Sequence, residues 1–295
     1  MLAIRKVLIP TDFSECAESA LPYAIHFASE YNSELHTLHA VVVYGGASLL
    51  GEEKALEALE EIEMTPARRV FSAVHQGVSA ADVILDYATN NDIDLIVLGS
   101  HGHRGVRRFL LGSVAEEVIR LASCPVLSVL HQENVDPSSG VEFSTIVVPT
   151  DFSRYSDVAL RYAGEIAKRR GARIHLIHVI EELLYPDFYL PVSGASIHTP
   201  EMRQEARERL SECIDAKLPK ALAADAQLHV AIGRTSEEIA NYAAEVRADL
   251  LVIASHGLRG LERILLGSVA EQVIRAAPCS VLTVKAFGKT LLPTP

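Results

Sequence analysis

SHGHRGVRRFLLGSVAEEVIR, from Ser100 to Arg120, returns later in the chain as SHGLRGLERILLGSVAEQVIR, from Ser255 to Arg275. Set between a strand and a helix, a glycine-serine loop of this kind gathers backbone N–H groups around phosphates. The pattern therefore points to a phosphate-bearing ligand, a nucleotide, in each half. Other stretches repeat in the same order. Lys6-Val-Leu-Ile-Pro-Thr-Asp-Phe-Ser14 is matched by Thr145-Ile-Val-Val-Pro-Thr-Asp-Phe-Ser153, and Leu35-His-Thr-Leu-His39 by Ile174-His-Leu-Ile-His178. Several motifs in register over half a chain read as duplication of a whole domain. Lys6 and Thr145 are 139 positions apart and Ser100 and Ser255 are 155 apart, so the second copy carries a longer middle segment.

Each copy alternates β-rich runs with helical stretches. In the first the runs lie near Val7 to Ile9, Leu35 to Val43, Val70 to His75, Leu95 to Leu98 and Val126 to Leu130. In the second they lie near Ile146 to Val148, Ile174 to Val179, Leu228 to Ile232, Leu250 to Ile253 and Val281 to Val284. Such alternation predicts an α/β fold: two tandem doubly wound domains, each a five-stranded parallel sheet of order 3-2-1-4-5 with helices on both faces. The expected boundaries are 1–132 for the first domain, 133–143 for a turn-rich linker, 144–288 for the second domain and 289–295 for a tail. Pro125-Val-Leu-Ser-Val-Leu130 and Ser280-Val-Leu-Thr-Val-Lys285 would each end a sheet. Bare edges are best hidden by pairing with each other, which predicts an internal pseudo-dimer. A further homodimer of whole chains stays open.

Composition narrows the function classes. The 295 residues are 49% hydrophobic and 22% charged, enough for two cores of about 150 residues each. A formal net charge of −11 without a long basic run argues against nucleic acid or an anionic membrane as partner. No apolar stretch nears the ~20 residues of a membrane span, and the start at Met1 lacks signal-peptide features, so the expected address is the cytoplasm. Cys124 and Cys279 hold the same place in the two copies, whereas Cys16 and Cys213 have no counterparts. With no C-x-x-C pair they read as small buried hydrophobes, and no disulfide is assigned.

Two readings compete at the loop. Ser113-Val-Ala-Glu116 and Ser268-Val-Ala-Glu271 have the form of capping boxes, which satisfy a helix N-terminus without any ligand. Against that, the loop follows the fourth strand and Pro10-Thr11-Asp12 follows the first, so both flank the switch point where doubly wound sheets bind ligands. Asp12 and Asp151 suit ribose hydroxyls or a metal-bound phosphate; Asp12 also suits an N-cap, with Glu15 completing a box, whereas Asp151 has Arg154 there. His36 and His39, like His175 and His178, have H-x-x-H spacing, but strand positions three apart face opposite sides, so ordinary strand histidines are expected. Arg104, Arg107, Arg108, Arg259 and Arg263 suit either phosphates or a solvated face, and His101-Gly-His103 only loosely matches a nucleotidyl-transfer motif. The insertion Leu183 to Thr199, with Tyr185, Phe188 and Tyr189, suits a lid or a contact surface.

Gly99-Ser-His-Gly102, nine residues, then Gly112-Ser113, together with Pro10-Thr-Asp-Phe-Ser14, resembles the signature of the ATP-binding universal stress proteins. The chain is similar to a tandem member of that family over nearly all of both halves. The resemblance implies an adenine nucleotide, ATP or AMP or ADP, in each half. It would set Pro10, Thr11, Asp12, Ala40 and Gly99 near base and ribose, and His101, Gly102, Gly112, Ser113 and Val114 around the phosphates. The second copy would use Pro149, Thr150, Asp151, Val179, Ala254, His256, Gly257, Gly267, Ser268 and Val269. No metal is assigned to protein side chains alone; Mg would be held through the phosphates near Asp12 and Asp151. Ala254 departs from the glycine pattern, a change that is tolerable at negative φ and harmful at positive φ. The implied role is a cytoplasmic stress-response factor with unknown protein partners, and slow hydrolysis stays open. The alternatives are a nucleotide-free scaffold of the same fold, or an enzyme, for which no nucleophile with a paired base stands out.

Overall fold

A computed structural model describes residues 2–42, 49–60, 69–100, 111–131, 141–181, 200–257, 266–285 and 287–292. The first half runs β1 (Lys6–Pro10), α1 (Glu15–Glu18), α2 (Leu21–Tyr31), β2 (Glu34–Val42), α3 (Leu49–Glu60), β3 (Arg69–Gly77), α4 (Ala80–Asn90), β4 (Leu95–Gly99), α5 (Ser113–Leu121) and β5 (Val126–Val129). The second runs β6 (Thr145–Pro149), α6 (Arg154–Arg170), β7 (Arg173–Glu181), α7 (Pro200–Lys217), α8 (Lys220–Asp225), β8 (Gln227–Gly233), α9 (Thr235–Glu245), β9 (Leu250–Ala254), α10 (Ser268–Ala276) and β10 (Ser280–Val284). Residues 133–140 of the predicted linker 133–143, and the insertion Leu183 to Thr199, lie outside the described residues.

All ten strands form one sheet, in the order β3-β2-β1-β4-β5-β10-β9-β6-β7-β8. Each half therefore has the predicted 3-2-1-4-5 order. Neighbours within a half are parallel, while β5 and β10 pair antiparallel, with Leu127 opposite Leu282. Across that seam the Ser128 hydroxyl donates to the Val281 carbonyl at 3.2 Å. The β5 and β10 edges are thus consumed by one another, the expected pseudo-dimer, and β3 and β8 remain as the outer edges.

Strand alternation sends side chains to two cores. Val7, Ile9, Leu95 and Val97 share one face with Ile146, Val148, Leu250 and Val252, and are covered by α2 and α6. Leu8, Ile96 and Leu98 share the other with Val147, Leu251 and Ile253, beneath helices that include α5 and α10. Both cores run through both halves. Ala115, Val118 and Ile119 form the buried stripe of α5, as their helical spacing predicts, and Ala122 is buried at its C-cap. Cys124 and Cys279 are buried, and desolvation pushes both thiols up to about 12, so they behave as hydrophobes. Each half starts its sheet with the same device. The N–H groups of Arg5 and Lys6 donate to Asp94 Oδ2 at 2.7 and 3.0 Å, and those of Ser144 and Thr145 to Asp249 Oδ2 at 2.8 Å.

The copies differ after the first strand. Pro22 has no N–H and its ring crowds the carbonyl of residue 18, so the first helix breaks into α1 and α2. Arg161 stands in the matching place, and α6 runs unbroken for 17 residues. The C-terminal segment crosses back to the first half. The Ala3 N–H donates to the Leu291 carbonyl at 2.8 Å, Leu291 N–H donates to the Tyr162 hydroxyl at 2.7 Å, and Lys289 Nζ lies 2.7 Å from Asp94 Oδ1. Among the described residues no helix is long and apolar enough to cross a membrane.

Between α2 and α6, Arg170 pairs with Glu30 at 2.7 Å and contacts His26, whose ring also meets the Phe143 ring edge-on at 5.8 Å. Burial, aided by the Arg170 charge, lowers the His26 pKa from 6.5 to about 4, although Glu30 opposes the shift. A histidine held neutral in the fold binds a proton more readily when unfolded, so this contribution is fully present above about pH 6.5 and is lost as pH falls toward 4. Denaturant unfolding should show stability declining through that window, and His26→Gln should make the decline shallower. An unchanged profile would remove His26 as a contributor.

Candidate functional site

The turns that follow β1 and β6 have the same construction. Thr11 Oγ1 accepts the Phe13 N–H at 3.0 Å, and Asp12 Oδ1 accepts the Ser14 N–H at 3.1 Å and its hydroxyl at 2.5 Å. In the second copy Thr150 Oγ1 accepts the Phe152 N–H and Asp151 Oδ1 the Ser153 N–H, both at 3.0 Å. The N-cap reading of Asp12 is overturned. Ser14 and Ser153 are the caps, two residues past the aspartates and after the turn has closed, each accepting an N–H three residues on at 3.2 Å. Asp12 remains exposed and Asp151 half-buried, both at the carboxyl end of the sheet.

Closing the turn requires a left-handed residue, and a phenylalanine supplies it: φ is 59° at Phe13 and 61° at Phe152. That conformation costs about 1–2 kcal/mol for an L-residue, and the surroundings offset it. The Phe13 ring lies 4.8 Å from the His39 ring, whose Nδ1 donates to the Thr11 carbonyl at 2.9 Å. Phe152 lies 4.4 Å from His178, which donates to the Thr150 carbonyl at 2.8 Å, and the Arg209 guanidinium sits 4.1 Å above the same ring. Desolvation lowers the His178 pKa, keeping the ring neutral. The other histidine of each H-x-x-H pair bonds elsewhere: His36 Nδ1 lies 2.9 Å from the Tyr87 hydroxyl and His175 Nδ1 2.9 Å from that of Tyr242. Sequence reading assigned His39 and His178 only to the sheet. Their recurrence in both copies was the available signal for a second task.

After β4 and β9 the chain returns to open a helix. The Gly112 N–H donates to the Ser100 carbonyl at 2.7 Å, and the Gly267 N–H to the Ser255 carbonyl at 2.8 Å. The expected serine capping boxes are overturned here. The N-caps are Gly112 and Gly267, with φ of −63° and −61°, and neither helix has a side-chain cap. Ser113 and Ser268 are already inside the first turn and exposed, as are Val114 and Val269. The leading N–H groups of both helices thus face outward with the positive end of the helix dipole. A Cβ on Gly267 would stand 3.3 Å from the Ser255 carbonyl, and one on Gly257 would stand 2.5 Å from Asp151 Oδ2. The acidic turn and the glycine loop therefore meet at Asp151 and Gly257.

Other predicted positions fall as follows. Pro10 and Pro149 end β1 and β6, and Thr150 is buried. Ala40 is half-buried and aligned with His75 on β3, and Val179 is buried opposite Ala231 on β8. His256 turns inward, its Nδ1 3.0 Å from the Ser255 hydroxyl and its ring 5.5 Å from that of Phe287. His101, Gly102, Arg104, Arg107, Arg108, Arg259 and Arg263 lie outside the described residues. Among the described residues no group of three or more His, Cys, Asp or Glu side chains could hold a metal.

The Universal stress protein family profile matches residues 3–129 and again 142–285. The chain belongs to that family. A universal stress protein of Methanocaldococcus jannaschii is 36% identical over 139 residues, 42% of this chain and 81% of that protein. One of Mycobacterium tuberculosis is 28% identical over 228 residues, covering 76% of this chain and 72% of its own. The crystal structure of a universal stress protein from Archaeoglobus fulgidus superposes with a TM-score of 0.67 at 25% identity, over 95% of this chain and 98% of that one.

The Gly99 to Ala254 difference now has a packing cause. A Cβ on Gly99 would fall on the Cys16 carbonyl group and within 3.2 Å of the Ala17 nitrogen, because α1 presses its backbone against the end of β4. Ala254 occupies the matching place at negative φ, next to an α6 that runs without the break, and its methyl is buried. Gly99→Ala should therefore destabilise the protein by about 1–3 kcal/mol through forced backbone movement. Ala254→Gly should cost only about 0.5–1 kcal/mol. Equal losses in denaturant unfolding would contradict the packing account.

Proposed function

We propose that each half of this universal stress protein binds an adenine nucleotide, ATP or its di- or monophosphate, and that occupancy regulates its contacts with other proteins during stress. The observation that carries the reading is the pair of helix N-termini with glycine caps and no side-chain cap, each following a strand that neighbours the one leading into a prebuilt acidic turn. The phosphates would lie against the N–H groups opening at Gly112-Ser113-Val114 and Gly267-Ser268-Val269. Charge-assisted bonds of this kind contribute about 1.5–3 kcal/mol each. Asp12 and Asp151 would accept from ribose hydroxyls, or stand near Mg brought in on the phosphates. In the second half Gly257 leaves room for the Asp151 carboxylate to do so. Pro10, Thr11 and Ala40, with Pro149, Thr150 and Val179, would border the base.

Fast hydrolysis needs a base aligned on an attacking water. Asp12 Oδ1 and Asp151 Oδ1 are engaged by their own turns, His39 and His178 by threonine carbonyls, and His256 lies beside Ser255. The proposed activity is therefore a nucleotide-gated switch in the cytoplasm, with turnover well below the ~10 s⁻¹ typical of enzymes.

Equilibrium dialysis should find two nucleotides per chain, and mass spectrometry of protein purified without added nucleotide should detect an adenine nucleotide in the released ligand. Gly112→Val should remove one of the two sites and Gly267→Val the other, with the fold kept, since neither φ is positive. Undiminished stoichiometry in both folded variants would remove the glycine loops from the site.

A further inference from the structure

Both helices that open on the proposed phosphate positions carry a carboxylate in their first turn, Glu116 on α5 and Glu271 on α10. In the empty protein a carboxylate there is favourable, since it complements the helix dipole. Toward an arriving phosphate it is unfavourable. It lies only about one turn, ~5 Å of helix rise, from the N–H groups the phosphate needs, and two anions would share the same positive end.

A single cation addresses both carboxylates. Arg275, in the last turn of α10, reaches across the seam to Glu116 Oε2 at 2.7 Å and back along its own helix to Glu271 Oε1 at 3.3 Å. The repeat does not reproduce this arrangement. Arg120, the equivalent of Arg275, lies 3.8 Å from Glu117 on its own helix. Arg275 also lines a small cavity between the halves with Ser100 and Leu111, which flank the first glycine loop. Its side chain is 32% exposed, a depth at which pairing is only partly screened by solvent.

We infer that Arg275 is a shared positioning residue for the two nucleotide sites. It neutralises Glu116 of one half and Glu271 of the other, so that phosphate can approach either helix N-terminus. The inference rests on the nucleotide reading above and adds that the two sites draw on one compensating charge. A nucleotide at one site then changes the field that the other site meets.

Calorimetric titration of the full chain with ATP tests it. Arg275→Gln should weaken both sites by about three- to tenfold at low ionic strength, and by less at high salt. Adding Glu116→Gln to that variant should restore the first site, and adding Glu271→Gln the second. With Arg275 retained, each glutamine alone should tighten its own site about two- to fivefold. A folded Arg275→Gln protein with unchanged affinities would overturn the inference. So would a weakening that neither glutamine relieves, because a merely structural arginine would leave the halves disturbed whatever the carboxylate charge. Wild-type protein that binds no adenine nucleotide would instead overturn the nucleotide reading itself.

Discussion

The antiparallel ladder between β5 and β10 is the constraint on which the other long-range contacts depend. It closes the β5 and β10 edges, makes one ten-stranded sheet from two five-stranded ones, and lets each hydrophobic layer run through the whole molecule. The pairings of Glu30 with Arg170, of Glu116 with Arg275 and of Lys289 with Asp94 all span the two halves, and each requires that register. Ion pairs that are partly or, at Asp94, fully withdrawn from water lose in desolvation much of what they gain in attraction, whereas buried strand pairs such as Leu127 and Leu282 carry apolar area. The ion pairs are better understood as fixing orientation around an interface that hydrophobic burial holds.

Duplication leaves each half free to change where its packing allows. Pro22 splits the first helix of one copy, the resulting α1 presses on β4, and Gly99 is thereby fixed as glycine for reasons of space. The second copy lacks the proline, keeps one long α6 and tolerates Ala254. A residue that looks like a ligand-binding glycine thus has a structural duty in one half that its counterpart does not share. The acidic turns, by contrast, share their N–H bonds and a left-handed phenylalanine, and differ in the cap serine's hydroxyl, which donates to Asp12 in one and to Ser156 in the other.

Much of this was legible in the chain itself. Strand alternation, the repeat offset and the turn-rich stretch near residue 135 were enough for the sheet order and the seam, because period-two burial and edge closure are strong constraints. The site was legible as a set of positions but not as geometry. Capping boxes at Ser113 and Ser268 fit the spacing rule perfectly, yet the caps fall one residue earlier, on glycine, and the serines are already the first helical residues. The step from coil to helix depends on the loop's return to Ser100 and Ser255, a tertiary contact. Asp12 misled for a similar reason: its side chain bonds within the turn and leaves capping to Ser14. Neither the left-handed Phe152 nor the guanidinium of Arg209 above it leaves a sequence signal, since the residue holding the ring lies on α7, more than fifty positions away.

The seam also sets a timetable for synthesis. Ser128 and its partner Val281 are 153 residues apart, so as the chain emerges from the ribosome β5 stands as an open edge until nearly the whole second half has been made. Leu2 and Ile4 likewise wait for Leu291, the buried residue that completes their side of the core. A first half folded on its own therefore exposes an apolar strand edge to whatever is nearby, including the same edge on a neighbouring nascent chain. Because the repeats are so similar around β5 and β10, polysome neighbours present the very surface that the second half is meant to cover.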